Sequence, residues 1–163
     1  TLRPSQGQLH RWSRSVPDWA ARLRELGVDG GGRLQLELDE TALRDAQLQA
    51  LLHRPALRAA GVSVQLADFG QGLAALSSLE HPGLSTVRLA SERVQQIGSA
   101  RGRAWLQAVT QLARSLGLQV QACGVLDAAQ RQALLDLGVD ALLGPGVAAP
   151  LDEAGFANWL GNP

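Results

Sequence analysis

"VSVQLADFGQGLAAL", residues 62–76, carries the reading on which the fold turns. Val62 to Ala67 is an apolar run of strand length, bounded before by Gly61 and after by Asp68-Phe69-Gly70, and it reads as a buried strand. Helical spacing through Leu73 and Leu76 follows. A buried strand that feeds directly into a helix is half of a parallel βα unit. The single acid at the joint, Asp68, has two readings from local residues alone: a metal ligand at the end of a strand, or the cap of the helix that follows.

The same unit recurs on both sides. Upstream, Trp19, Leu23 and Leu26 share a helical face ending at Gly27, and Gly30-Gly31-Gly32 leads into the strand Leu34-Gln35-Leu36-Glu37-Leu38. Its leucines face one way, Gln35 and Glu37 the other. Thr41 to His53 carries helical spacing, and a short segment from Pro55 ends at Gly61. Downstream, Thr86 to Leu89 is a strand, followed by a helix with the stripe Trp105, Val109, Leu112 and Leu116, closed by Gly117. Leu118 to Cys123 is a strand, and Asp127 with Gln130 forms a capping box for a helix through Leu134 and Leu137 to Gly138. Ala141 to Leu143 is a last strand, and Asp152 opens a terminal helix holding Phe156, Trp159 and Leu160. Five strands are clear, with a sixth candidate at the N-terminus.

This alternation fits an open doubly wound sheet or a (β/α)8 barrel. The 163 residues fall short of the roughly 250 of a complete barrel. In both architectures a site lies at the C-terminal ends of the strands, where Glu37, Asp68, Arg88 and Cys123 fall.

Composition narrows the chemistry. With 45% hydrophobic residues the chain can bury a core, and no linker divides it, so residues 1–163 are expected to form one domain. Fifteen basic and fifteen acidic residues cancel, which argues against nucleic acid or an anionic membrane as partner. Every basic residue is arginine, so lysine chemistry is excluded. The lone Cys123 cannot form an internal disulfide, and no apolar run reaches about 18 residues, which predicts a cytoplasmic protein. Gly30-Gly31-Gly32 precedes a strand instead of following one, so it is a turn and not a phosphate cradle. His10, His53 and His81 are isolated. Glu37 points away from its leucine neighbours, either inward toward a site or as a solvated charge or helix-cap partner beside Asp39 and Glu40.

Five ordered blocks make the chain similar to a known family. Leu36-Glu37-Leu38-Asp39-Glu40, Ala67-Asp68-Phe69-Gly70-Gln71-Gly72-Leu73, Val87-Arg88-Leu89-Ala90, Ala122-Cys123-Gly124-Val125-Leu126 and Leu143-Gly144-Pro145 with Pro150 resemble, in order and spacing, the EAL domain of bacterial cyclic di-GMP phosphodiesterases and their non-catalytic relatives. The resemblance spans essentially the whole chain and implies an incomplete (β/α)8, TIM-like barrel of about five or six parallel strands with flanking helices, the C-terminal two-thirds of the family fold. The segment with the Glu-Ala-Leu signature would precede Thr1.

Active relatives use two Mg²⁺ or Mn²⁺ ions held by convergent carboxylates. By resemblance, Glu37 and Asp68 are the metal-site positions this chain keeps. Thr1 stands for the family's Asn ligand, Ala67 for the first residue of its Asp-Asp pair, Arg88 for its Lys, Ala90 for an Asp, and Cys123 and Leu126 for two Glu. Two oxygen ligands cannot serve a pair of hard cations, and a thiolate at Cys123 is too soft to replace a third; Cys123 reads as a small buried hydrophobe. Asp68 is then expected to be a remnant that caps the next helix.

The resemblance therefore implies a degenerate, non-catalytic module with no catalytic residue and no bound metal, acting through a protein partner or a homodimer. Related proteins pair through the segments that correspond here to Gln71–Leu79 and Ser91–Arg103. The competing expectation is a receptor that binds cyclic di-GMP without cleaving it, with Arg88, Arg93, Arg101 and Arg103 as candidate phosphate contacts. Residual phosphodiesterase activity is the third.

Overall fold

The structure, a computed structural model, describes residues 3–5, 7, 8, 11, 25, 34–46, 61–71, 76–81, 83–149 and 151–161. Five parallel strands form one sheet in sequence order: β1 (Gln35–Leu38), β2 (Ser63–Phe69), β3 (Leu84–Leu89), β4 (Gln119–Cys123) and β5 (Ala141–Leu143). The helices are α1 (Glu40–Arg44), α2 (Ser91–Val94), α3 (Ala100–Ser115), α4 (Ala128–Asp136) and α5 (Glu153–Gly161). Three-ten turns cover Leu76–Glu80 and Gln95–Gly98. The expected helices at Trp19–Leu26 and beyond residue 46, and the N-terminal sixth strand, fall largely outside the described residues.

One face of the sheet is apolar and packs under α3 and α4. Leu89, Val120, Leu106, Ala113 and Leu134 are all 0% exposed there. Burying a leucine of this kind contributes about 1.5–3 kcal/mol. The buried stripe of α3 differs from the expected one. Gly102, Leu106, Val109, Thr110 and Ala113 face the core, Trp105 and Leu112 only flank it, and Leu116 is 42% exposed. The large apolar residues misled the pattern, because the small Gly102 and Ala113 are what allow this helix to lie close to its neighbours.

The helix ends follow the sequence closely. Ser99 caps α3, its hydroxyl accepting from the Gly102 N–H at 2.9 Å. Both α3 and α4 close with paired reverse bonds: Gly117 N–H to Arg114 and Leu118 N–H to Ala113, then Gly138 N–H to Leu135 and Val139 N–H to Leu134. Gly117 and Gly138 sit at φ +76° and +81°, where a side chain would be strained. Asp127 accepts from the Gln130 N–H at 2.8 Å as expected, but Gln130 reaches back to Leu126 N–H, not to that of the cap residue. Asp152 caps α5, accepting from Gly155 N–H at 2.8 Å.

The other face is polar and carries the evidence for curvature. Gln35 of β1 donates to Thr86 of β3, and Gln65 of β2 donates to Gln121 of β4. Each bond passes over an intervening strand. On a flat sheet strands two apart are separated by about 9–10 Å, and curling brings their inward side chains together. Side-chain layers drawn from alternate strands are the interior of a TIM-like barrel, so the sheet is an arc of a barrel and not an open doubly wound sheet.

Candidate functional site

Glu37 belongs to this inner face. Its residue is 9% exposed, so it is not the solvated charge that the alternating pattern also allowed. One carboxylate oxygen, Oε2, meets the Arg88 Nη2 of β3 in a close ion pair that again skips a strand. The other, Oε1, lies 3.5 Å from Nη1 of Arg3. The side chains of Glu37 and Arg88 are 11% and 16% exposed, so this charge pair is largely out of water. Nε of Arg88 is buried with no hydrogen-bond partner among the described residues.

Asp68 sits in the next strand, and the backbone delivers it unusually. Leu66 pairs with Val87 but Phe69 pairs with Leu89, so β2 carries one extra residue at Ala67-Asp68, a bulge of the kind that re-aims a side chain. Asp68 has φ +52°, the left-handed region, which aspartate tolerates better than most residues. A second irregularity, the extra residue Ser85 in β3, restores the count and is tied down by its hydroxyl donating to the Val64 carbonyl at 3.0 Å.

The side chain of Asp68 does not show the helix cap expected of it. Oδ2 accepts from Nη2 of Arg3 at 3.2 Å. The backbone explains why: a capping residue has extended φ/ψ, whereas Asp68 is left-handed and lies within β2. Residues 72–75, where the expected helix starts, lie outside the described residues, and Leu76–Glu80 is a three-ten turn.

The other positions singled out in the sequence differ in burial. Ala67 is 4% exposed and Ala90 0%, the latter bonded through its N–H to the Phe69 carbonyl. Cys123 is half-buried, and its thiol donates to the Leu89 carbonyl at 3.4 Å. Burial pushes the thiol pKa up; Arg88 opposes that, and the negative charges of Asp68 and Glu92 add to it. Leu126 is 53% exposed. Thr1 lies outside the described residues.

Arg93 and Arg101 are not part of this group. They line a cleft with Gln96, Ser99, Gly102 and Trp105 that includes neither Glu37, Asp68, Arg88 nor Cys123. Nε of Arg93 donates to the Gly70 carbonyl at 2.7 Å, and its guanidinium lies 4.8 Å from the Trp105 ring centre. Arg103 borders a second cleft with Asp127. Among the described residues, no group of three or more His, Cys, Asp or Glu is placed to hold a metal ion. No helix of the described residues is long and apolar enough to cross a membrane.

Two features escaped the sequence. Arg3 bridges both carboxylates, and nothing local marks it. The inward polar residues, Gln35, Gln65, Thr86 and Gln121, are visible as polar alternate positions of β1 to β4.

The sequence profile of the EAL domain matches residues 2–150. The chain belongs to the EAL domain family. It is 30% identical over 127 residues to the cyclic di-GMP phosphodiesterase RocR of Pseudomonas aeruginosa, a match covering 77% of this chain and 32% of RocR. Among solved structures, the EAL domain of Mycobacterium smegmatis DcpA superposes with a TM-score of 0.79 at 25% identity, covering 98% of this chain and 70% of that one. The PaMucR phosphodiesterase in complex with cyclic di-GMP gives 0.70 at 25% identity, over 94% and 62%. The chain thus spans about a third of the length of RocR. Its five-stranded arc is part of the TIM-barrel-like fold of this cyclic di-GMP signalling family.

Proposed function

We propose that this EAL domain is a non-catalytic signalling module that acts through contact with another protein. The observation that carries the reading is the arginine clamp. Both oxygens of Glu37 and one of Asp68 are turned toward the guanidinium groups of Arg88 and Arg3. These are the carboxylates a metal pair would need.

The donor set does not fit two Mg²⁺ or Mn²⁺ ions. Each hard cation takes about six oxygens, several of them anionic. Here Ala67, Ala90 and Leu126 stand where the family resemblance calls for further carboxylates. Arginine is always protonated, so Arg88 supplies permanent positive charge beside Glu37, and it cannot act as a base. Bringing a divalent cation to Glu37 would place it against that charge. The clamp neutralises the acidic residues from within the chain, which keeps the barrel's inner layer stable without a metal.

An assay of cyclic di-GMP cleavage with Mn²⁺ tests this directly. The expected outcome is no linear dinucleotide above the protein-free control. Steady production that disappears with chelator would sink the reading. A second reading, a receptor that holds the dinucleotide uncut, is favoured by one observation, the Nε of Arg88 at the site, which has no partner among the described residues. Calorimetric titration separates the two: metal-independent micromolar binding, lost in Arg88→Met, identifies the receptor.

A further inference from the structure

From the arginine-lined cleft at the start of α3 we infer that this surface docks an acidic segment of a protein partner. The inference deepens the proposed interaction role and rests on it. The sequence from Arg93 to Trp105 folds back on itself here. A Cβ at Gly102 would lie 2.0 Å from the Gln96 carbonyl oxygen, so only glycine lets the Gln95–Gly98 turn press against the first turn of the helix. That fold places Arg93, Arg101 and Trp105 on one cleft of about 340 Å³, and among the described residues no acid lines it.

Arg93 is preorganised. Its guanidinium lies over the Trp105 ring, which stacks on Phe69 with ring centres 6.5 Å apart, and its Nε donates to the Gly70 carbonyl. Nη1 makes only a 3.5 Å contact with Gln96, and Nη2 has no partner among the described residues. A guanidinium held against an aromatic ring presents its free N–H groups to a carboxylate with little further loss of entropy. Arg101 is exposed and has no ion pair among the described residues.

The placement of charge is also locally unfavourable. The first turn of α3 contains Arg101, is followed by Arg103, and holds no acid, although that end of a helix favours negative charge. Local rules are broken in this way mainly where function requires it. Carboxylates of a partner would satisfy both arginines and the helix end together, and Trp105 adds an apolar wall for a side chain between them.

The test is fluorescence anisotropy of a fluorescein-labelled peptide of Asp, Glu and Leu, titrated with the full chain at low and at physiological salt. Saturable binding that weakens with salt is expected, with at least a tenfold rise in Kd for the exposed charge reversal Arg101→Glu. Arg131→Glu, on the surface of α4, should leave it within twofold. Equal losses in both variants, or none in either, would overturn the inference, as would competition by cyclic di-GMP or inorganic phosphate at stoichiometric levels. Failure here with no cleavage of cyclic di-GMP removes the cleft alone. Cleavage in the activity assay removes the module reading instead.

Discussion

The two faces of the sheet obey different rules, although alternate residues of the same strands build them. The outer face is almost all hydrocarbon: Leu89, Val120 and Ala122 are each 0% exposed in the core with α3 and α4, and Thr110 of α3 is the buried polar residue that the helix brings to it. The inner face is a mesh of glutamine, threonine and one charge pair, joined across strands two apart. A fold needs the first face in any sequence that adopts it. The second is free to change its chemistry as long as each buried polar group finds a partner. In this chain Glu37 and Asp68 are paired with arginines.

The largest break in this contrast is expected on the outer face. Leu106→Ala, deep under α3, should destabilise by about 2–5 kcal/mol, measured by urea unfolding. On the inner face Glu37→Gln should cost roughly 1–3 kcal/mol, because it strands Arg88 without its counter-charge. The double variant Glu37→Gln with Arg88→Met should recover most of that loss. A double variant as unstable as the sum of the singles would show that the pair does not act as a unit.

Cys123 sharpens the comparison by pH. Burial raises its thiol pKa above the ordinary 9.0, so the thiolate is disfavoured in the folded chain. Stability from this group is fully present below the ordinary value and is lost as pH rises through the folded one. Alkylation of the folded chain should therefore run slower than in urea at pH 8 to 9, and equal rates would contradict the burial. The smallest effect is expected at Asp68→Gly. It removes an exposed ion pair worth about 0–1 kcal/mol and relieves a left-handed backbone that costs about 1 kcal/mol or more. The melting temperature should stay level or rise slightly; a clear drop would mean the carboxylate does more than meet Arg3.

Much of the scaffold was legible along the chain. Strand spacing, the closing glycines Gly117 and Gly138, and the caps Asp127 and Asp152 were all local signals, fixed by backbone sterics and short-range hydrogen bonds. The errors came where contacts are distant. The α3 stripe was read one step around the helix, because the pattern weighs large side chains and cannot see that Gly102 and Ala113 mark the close approach. Asp68 reads locally as a cap, and the bulge that turns it left-handed depends on how β2 pairs with β3. Arg93 and Arg101 read beside Arg88 as candidate phosphate contacts, and only the fold shows that they line a cleft without Arg88.

By itself the sequence determined the βα alternation and the family, since each depends on residue identity and spacing within a few turns of chain. Tertiary structure alone decided that Arg3, 34 residues before Glu37 and 65 before Asp68, stands between the two, and that Glu37 is buried against Arg88. Electrostatic partners are chosen by distance in space, and curling the sheet brings together strands that sequence holds more than fifty residues apart.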